Sequence, residues 1–287
     1  MKVLFYKYQG AGNDFLIADN RSGALILSQD QVAALCDRRY GVGADGLMLL
    51  DAPDAEKEDD TDGFRMTYYN SDGSTGMMCG NGGRCIVAFA ADMGIDNFSF
   101  DAADGHHLAD VVSASGKEKT VRLLMKAVGP YVYHRRLSGV DIPSEGYFLD
   151  TGTRHFVRMV RGLDTYDVVS EGRNIRYNAE ELQPIGANVN FIELSDDGTL
   201  HVRTYEKGVE DETFACGTGI VASCIAAYNA GMRPAGCLES GCVRYDVKAK
   251  RDFLQVEFKP VEEPDLCAAD VWLTGPATFV AKIEVEL

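Results

Sequence analysis

The sequence predicts an α/β chain of the α+β type: two pseudo-symmetric domains, each a mostly antiparallel sheet curled round one central apolar helix. Three observations carry that expectation. First, a short cassette occurs twice. Cys79-Gly80-Asn81-Gly82 runs into Ile86-Val87-Ala88-Phe89-Ala90-Ala91 and closes at Gly94; Cys216-Gly217-Thr218-Gly219 runs into Ile220-Val221-Ala222-Ser223-Cys224-Ile225-Ala226-Ala227 and closes at Gly231. Each is a cysteine, a small polar residue flanked by glycines, and a helix-forming run ended by a C-cap glycine. Tyr69-Asn70 and Tyr205-Glu206 precede the two cysteines at nearly the same interval, so one unit is used twice. Second, both helices are apolar on nearly every side, as a helix wrapped by its own sheet would be. Third, most of the remaining chain consists of short alternating segments that read as strands.

In order, Val3–Tyr8 reads as a strand, Gly10–Phe15 as a glycine-rich turn, and Leu16–Ala18 as the next strand. The glycines of that turn open no helix, which argues against a dinucleotide fingerprint. Ser28-Gln29-Asp30-Gln31 caps a helix expected to run through Val32, Leu35 and Cys36 to Arg38. The tight turns of Tyr40–Gly46 lead to the strand Leu47–Leu50, and the acidic run from Asp51 to Asp62 reads as a solvated loop. Phe64, Met66 and Tyr68 alternate as a strand that ends at the turn Asn70–Gly73. Met77 and Met78 read as packing residues. After the first cassette come the segments Phe98–Phe100, His107–Ala109 and Val121–Met125.

Around Gly129-Pro130 the pattern restarts. The expected domains are therefore 1–128 and 129–274, with 275–287 returning to the first. The second half offers Tyr147–Asp150, Thr151–Val157, an acidic-capped helix at Asp164–Ser170, Gly186–Phe191 turning into a strand, and Leu200–Tyr205 before the second cassette. The C-terminal third is again strands: Cys242–Val247, Leu254–Phe258, Val271–Thr274 and Ala277–Val280. A separate last strand, Lys282–Glu286, follows them.

With 287 residues, 46% of them hydrophobic, the chain can bury two sizeable cores. A formal charge of −16 disfavours nucleic acid and anionic membrane surfaces as partners. No apolar run approaches membrane-spanning length or signal-peptide form, so the expected location is the cytoplasm. There the eight cysteines would stay reduced. None of them forms a Cys-x-x-Cys pair, and no zinc-type histidine spacing accompanies them, so no metal site is expected. Cys85 and Cys224 read as core residues, and Cys237 and Cys242 as loop or strand positions without a function.

A cysteine at a helix N-terminus meets backbone N–H groups and a dipole that favour its thiolate, and the same N–H groups can seat a carboxylate. Two such ends brought face to face would hold one carboxylate between two thiols. One sulfur could then remove the α-proton and the other return one to the opposite face. That is two-base racemisation or epimerisation, and in principle it needs no cofactor. Either cysteine alone would more often be a core residue; the duplication reverses that preference. The cleft between the domains is the expected ligand site.

The motifs together resemble the diaminopimelate epimerase family. The matching segments are Gly10–Phe15, Gly41–Gly46, Asn70–Ser74, Cys79–Cys85, Ala187–Phe191, Tyr205–Gly208 and Ala215–Gly219, in family order over almost the full chain. The resemblance implies interconversion of LL- and meso-diaminopimelate, in lysine and peptidoglycan-precursor biosynthesis, without pyridoxal phosphate or metal. It implies that Cys79 and Cys216 exchange the α-proton, assisted by His155 and Glu206. Gly80-Asn81 and Gly217-Thr218 would seat the reacting carboxylate, while Asn13, Asn70, Asn188 and Lys207 would contact the substrate. The small-molecule substrate is the expected partner, and the oligomeric state stays open, a homodimer included.

Three departures from the family pattern stand out. Gly152-Thr153-Arg154-His155 replaces a common Gly-Asn-Pro-His, Lys207 stands where an arginine is usual, and Gly46 stands where some members carry glutamine. Arg154 or Lys207 is then the expected partner of the distal carboxylate. The competing readings are a proline or hydroxyproline racemase, an isomerase with a carboxylate base, a non-catalytic ligand-binding protein and a thiol-redox protein.

Overall fold

The computed structural model describes residues 1–53, 63–76 and 78–287. Most of the acidic run, residues 54–62, and Met77 lie outside the described residues. The chain divides into two compact units, one formed by Met1–Leu124 with Thr274–Leu287 and the other by Met125–Leu273.

In the first unit the elements are β1 (Lys2–Gly10), β2 (Asn13–Asn20), α1 (Gln29–Cys36), β3 (Gly46–Asp51), β4 (Phe64–Asn70), α2 (Gly80–Asp92), β5 (Phe100–Ala102), β6 (Gly105–His107), β7 (Ala109–Ser115) and β8 (Glu118–Leu124). Strand β1 is antiparallel to β2, β2 is parallel to β3, β3 is antiparallel to β4, and β4 is parallel to β5. The parallel step from β2 to β3 needs a crossover, and α1 supplies it. Its capping box forms as expected: Gln31 N–H donates to the Ser28 hydroxyl, and the Gln31 side chain accepts from the Ser28 N–H. The helix stops at Cys36, two residues short of Arg38, because Asp37 turns to an extended conformation and accepts from the N–H groups of Arg39 and Tyr40.

The second unit repeats this order. It contains β9 (Val132–His134), β10 (Gly146–Asp150), β11 (Arg154–Met159), α3 (Val168–Asn178), β12 (Asn188–Leu194), β13 (Leu200–Glu206), β14 (Asp211–Thr213), α4 (Gly217–Asn229), β15 (Gly236–Cys237), β16 (Val243–Lys248) and β17 (Phe253–Glu263). Strand β10 is antiparallel to β11, β11 is parallel to β12, β12 is antiparallel to β13, and β13 is parallel to β16. The helix expected at Asp164–Ser170 lies later. Leu163–Thr165 is a 3-10 turn, and α3 starts at Val168 with the Asp167 carboxylate accepting from Ser170 N–H. Its polar surface and Gly172 hid the extent of the helix from a hydrophobic-period reading.

Each sheet buries both faces. In β2, Phe15, Leu16, Ile17 and Ala18 are all buried. Leu16 and Ala18 join α1 in one core cluster, and α2 packs on β1, β2, β3, β7 and β8. In the second unit α3 covers β12 and β13, and α4 packs on β10 to β13 and on β17. Each apolar side chain removed from water in this way, such as Ile86 or Phe89 of α2, contributes about 1.5–3 kcal/mol. The sequence pattern revealed the helix inside each sheet and the outer helix α1; the extent of the outer helix α3 is a structural finding.

The final strand, β18 (Leu266–Glu286), is continuous where the sequence reading placed three strands. It crosses Gly275-Pro276 because its partners succeed one another. Gly275–Thr278 pair with β8, and from Thr278 onward the strand pairs with β1, with a bulge at Lys7/Tyr8. Elsewhere, Phe98 and Ser99 lie outside β5, and Leu108 separates β6 from β7.

Candidate active site

The two cassettes form two helix ends, one in each unit. In the first, Cys79 is the N-cap of α2, with extended backbone angles (φ −117°, ψ 139°), and its sulfur accepts from Gly82 N–H at 3.4 Å. The amides of Gly80 and Asn81 stand outside the intrahelical ladder, as the first amides of any helix do. Asn81 is tied to Asn13: its amide donates to Asn13 Oδ1 at 2.5 Å, and Asn13 Nδ2 donates to Asp45 at 3.1 Å. Arg84, one turn into α2, is fully buried. Its guanidinium donates to Asn81 Oδ1 at 2.8 Å, to the Gly80 carbonyl at 3.3 Å and to the Pro276 carbonyl at 3.4 Å.

Behind Asn13 lies an ionic group in which Asp14 meets Lys7 at 2.8 Å and Arg38 at 2.5 Å, and Arg38 also meets Asp45 at 2.6 Å. Burial pushes the Asp14 carboxyl up, but hydrogen bonds from Arg38 and Lys7 outweigh it and hold the carboxyl below its ordinary value. Asn70 ends β4 opposite Gly46 and donates to the Ser74 hydroxyl at 3.0 Å. A Cβ at Gly46 would fall 2.6 Å from the Tyr68 ring and 2.8 Å from the Tyr69 carbonyl. The missing side chain at this position is therefore enforced by packing.

In the second unit Cys216 is the N-cap of α4, without a side-chain bond to the backbone of that helix. Its sulfur instead lies 3.5 Å from the Thr218 hydroxyl. Thr218 Oγ1 is 3.1 Å from His155 Nε2 and 3.0 Å from Thr153 Oγ1, and Thr153 Oγ1 is 2.8 Å from the same imidazole nitrogen. His155 is completely buried, and burial lowers its pKa to about 3. The ring is therefore neutral at ordinary pH. His155 pairs with Asn188 across β11 and β12. The Asn188 amide donates to the Arg154 carbonyl at 3.3 Å and accepts from Lys207 N–H at 2.8 Å. Glu206 ends β13 opposite Asp211.

The two candidate cations differ. Arg154 donates to the Leu182 carbonyl at 3.1 Å and stacks 5.0 Å over the Phe148 ring. The Lys207 ammonium is exposed and makes no ion pair among the described residues. Asn190, Thr204 and Arg84 are the residues that sequence reasoning missed, and Thr153 stood there only as a departure from the family pattern. Hydrogen bonds that depend on register carry no sequence period, so only the quoted motifs around these residues hinted at them. Cys85 and Cys224 are fully buried, and burial pushes both thiols up. Among the described residues none of the eight cysteines forms a disulfide. Among the described residues no group of three or more His, Cys, Asp or Glu side chains forms a metal cage, and no helix is long and apolar enough to cross a membrane.

Among solved structures, the chain is similar to a phenazine biosynthesis protein of the PhzF family from Bacillus anthracis, with a TM-score of 0.72 and 15% identity over all of both chains. It is also similar to a hydroxyproline epimerase from Agrobacterium vitis, with a TM-score of 0.66 and 15% identity, covering 100% of this chain and 93% of that one. At such identity these likenesses concern the fold. Two curated relatives lie much nearer in sequence. The diaminopimelate epimerase of Chlorobaculum tepidum is 40% identical over 97% of this chain and 99% of its own. That of Archaeoglobus fulgidus is 33% identical over 98% and 95%. The family model described as diaminopimelate epimerase matches residues 5–127 and 147–279, so each matched span contains one cysteine cassette. With both spans matched and full-length relatives at this identity, the chain belongs to the diaminopimelate epimerase family.

Proposed function

We propose that this protein interconverts LL- and meso-diaminopimelate, a step that serves lysine and peptidoglycan-precursor biosynthesis, by two-base proton exchange between Cys79 and Cys216. The single observation that carries the reading is that both cysteines are N-caps of matching helices in a chain of this family. In the reaction one thiolate takes the α-proton, a planar carbanion forms, and the other thiol returns a proton to the opposite face. Atoms and charge balance with the two sulfurs exchanging protonation states. The substrate's α-carboxylate is seated on the amides of Gly80, Asn81, Gly217 and Thr218, whose helix dipoles oppose its charge. A base and an acid are all that inversion requires, so the reading calls for no cofactor. Asn13, Asn70 and Asn188 orient the substrate; His155 and Glu206 support the thiols, His155 through hydrogen bonds in its neutral form. The reading places the protein in the cytoplasm, where both thiols stay reduced.

The test is incubation of reduced protein with LL-diaminopimelate in deuterium oxide, following α-hydrogen exchange and formation of the meso isomer. Exchange with inversion is expected. Cys79→Ala and Cys216→Ala should each lower turnover at least about a thousandfold, because the two groups act as a unit. Absence of exchange in reduced wild-type protein sinks the reading, and proline and other amino acids become the next substrates to try.

For the distal carboxylate the reading favours Lys207 over Arg154, since the Arg154 guanidinium is already held by Leu182 and Phe148. Lys207→Met should raise KM about tenfold with little change in kcat, the size of one charge-assisted contact. Arg154→Met should change KM less, and the reverse order would reassign the contact.

A further inference from the structure

The polar groups behind Cys216 have a defined direction. Asn190, on β12, is completely buried beside His155. Its Nδ2 donates to the Phe156 carbonyl at 3.4 Å, and its Oδ1 accepts from the Thr204 hydroxyl at 2.9 Å. A carbonyl can only accept, so the amide orientation is set. That orientation turns Nδ2 toward His155 Nδ1 at 3.1 Å. An NH2 group can only donate, so Nδ1 must be the bare nitrogen and Nε2 must carry the hydrogen. A second proton on the ring would set N–H against N–H. The Nε2–H then faces Thr153 and Thr218, at 2.8 and 3.1 Å.

We propose that Asn190 is a positioning residue that directs a chain of donors, His155 Nε2–H to Thr153 Oγ1 to Thr218 Oγ1 to Cys216 Sγ, and thereby makes Cys216 the resting thiolate. The geometry of the chain is independent of the substrate; its catalytic meaning rests on the epimerase reading above. Every hydroxyl hydrogen points toward the sulfur when the imidazole hydrogen is on Nε2, and a sulfur that receives a hydrogen bond is favoured as the anion. The ring's neighbours do not compete for that proton. Leu149 faces it from β10, Asn188 and Asn190 from β12, and Thr218 and Gly219 from α4, all without charge. Burial keeps the ring neutral as well. The fit is close: a Cβ on Gly219 would fall 2.4 Å from Asn190 Oδ1 and 3.2 Å from His155 Cε1.

The test is peptide-resolved alkylation of the full-length reduced protein with iodoacetamide as a function of pH, using the exposed Cys237 as an internal reference. Asn190→Leu and Thr218→Val should each move the Cys216 midpoint up by about one pH unit, a reaction about tenfold slower at pH values below both midpoints, as expected for loss of one hydrogen bond to a charged group. Thr218→Ser should restore the wild-type midpoint, and the double variant should shift no further than Thr218→Val alone. Nitrogen NMR of the wild-type imidazole should show the hydrogen on Nε2. A hydrogen on Nδ1, an unmoved Cys216 midpoint in folded Thr218→Val, or additive shifts in the double variant would each overturn the proposal. If Asn190→Leu fails to fold, the Thr218 pair and the NMR assignment still decide. Because alkylation needs no substrate, the expected midpoints in a protein that does not epimerise would reject the substrate and leave the donor chain standing.

Discussion

The two helix ends share a cassette and differ in what surrounds the sulfur. Cys79 accepts from its own helix, and beyond Asn81 and Asn13 extends a network of full charges: Arg84, Asp45, Arg38, Asp14 and Lys7. Cys216 leaves the backbone cap unused and meets hydroxyls, a buried neutral imidazole and an amide. Backbone capping comes with any helix; the hydroxyl–imidazole chain needs three particular strands and one helix in register. Duplication therefore preserved the position of the thiol, and divergence supplied two different ways of tuning it.

The largest expected effect on stability lies in the first unit. Arg84→Met keeps the volume but removes the guanidinium's hydrogen bonds to Asn81 Oδ1 and to the Gly80 and Pro276 carbonyls, which should cost about 3 kcal/mol. Chemical denaturation measures it, and a near-neutral result would mean that the charged network is not what holds the first helix end.

Acid separates the units next. In the folded protein His155 stays neutral down to about pH 3, whereas the unfolded chain takes up a proton below the ordinary value of 6.5. Stability is thus lost as pH falls below 6.5, by about 2 kcal/mol at pH 5. The depressed Asp14 carboxyl works lower: its contribution is present above 3.8 and lost only as pH falls through its still lower folded value. Peptide-resolved hydrogen exchange between pH 7 and 5 should show the strands around His155 loosening before those around Asp14, and simultaneous loosening would contradict this.

The smallest effects come from the paired glycines at the third helical position. At Gly82 an added Cβ would make only ordinary contacts, at 3.4 Å from Met48 and 3.7 Å from Phe15, so Gly82→Ala should gain about 0.5 kcal/mol from helix propensity. Gly219→Ala drives a methyl group into Asn190 and should lose about 1–2 kcal/mol. Thermal unfolding of the two variants should therefore shift in opposite directions.

Local rules carried much of this molecule. Ser28 and Gln31 announce a capping box, the two cysteines announce helix starts, and Gly94 and Gly231 take the left-handed conformation after the helices end, at φ 77° and 78°. The failures also have local causes. Asp164 and Asp167 are equally good caps in sequence, and only the 3-10 turn beneath Asp164 decides between them. The break read at Gly275-Pro276 vanished because two strands in succession hold that segment extended.

By itself the sequence determined the duplicated cassette, the two apolar helices with a thiol at each start, and the family. These depend on spacing along the chain, where helix caps and hydrophobic periods are written. Tertiary structure alone decided that His155 is buried and neutral, that Asn190 orients it, that Thr153 joins Thr218 behind Cys216, and that Arg84 is sealed beneath Asn81. The protonation and direction of His155 depend on Asn190 and Thr218, far away in sequence and brought to 3.1 Å by the tertiary fold, and no local pattern encodes that distance.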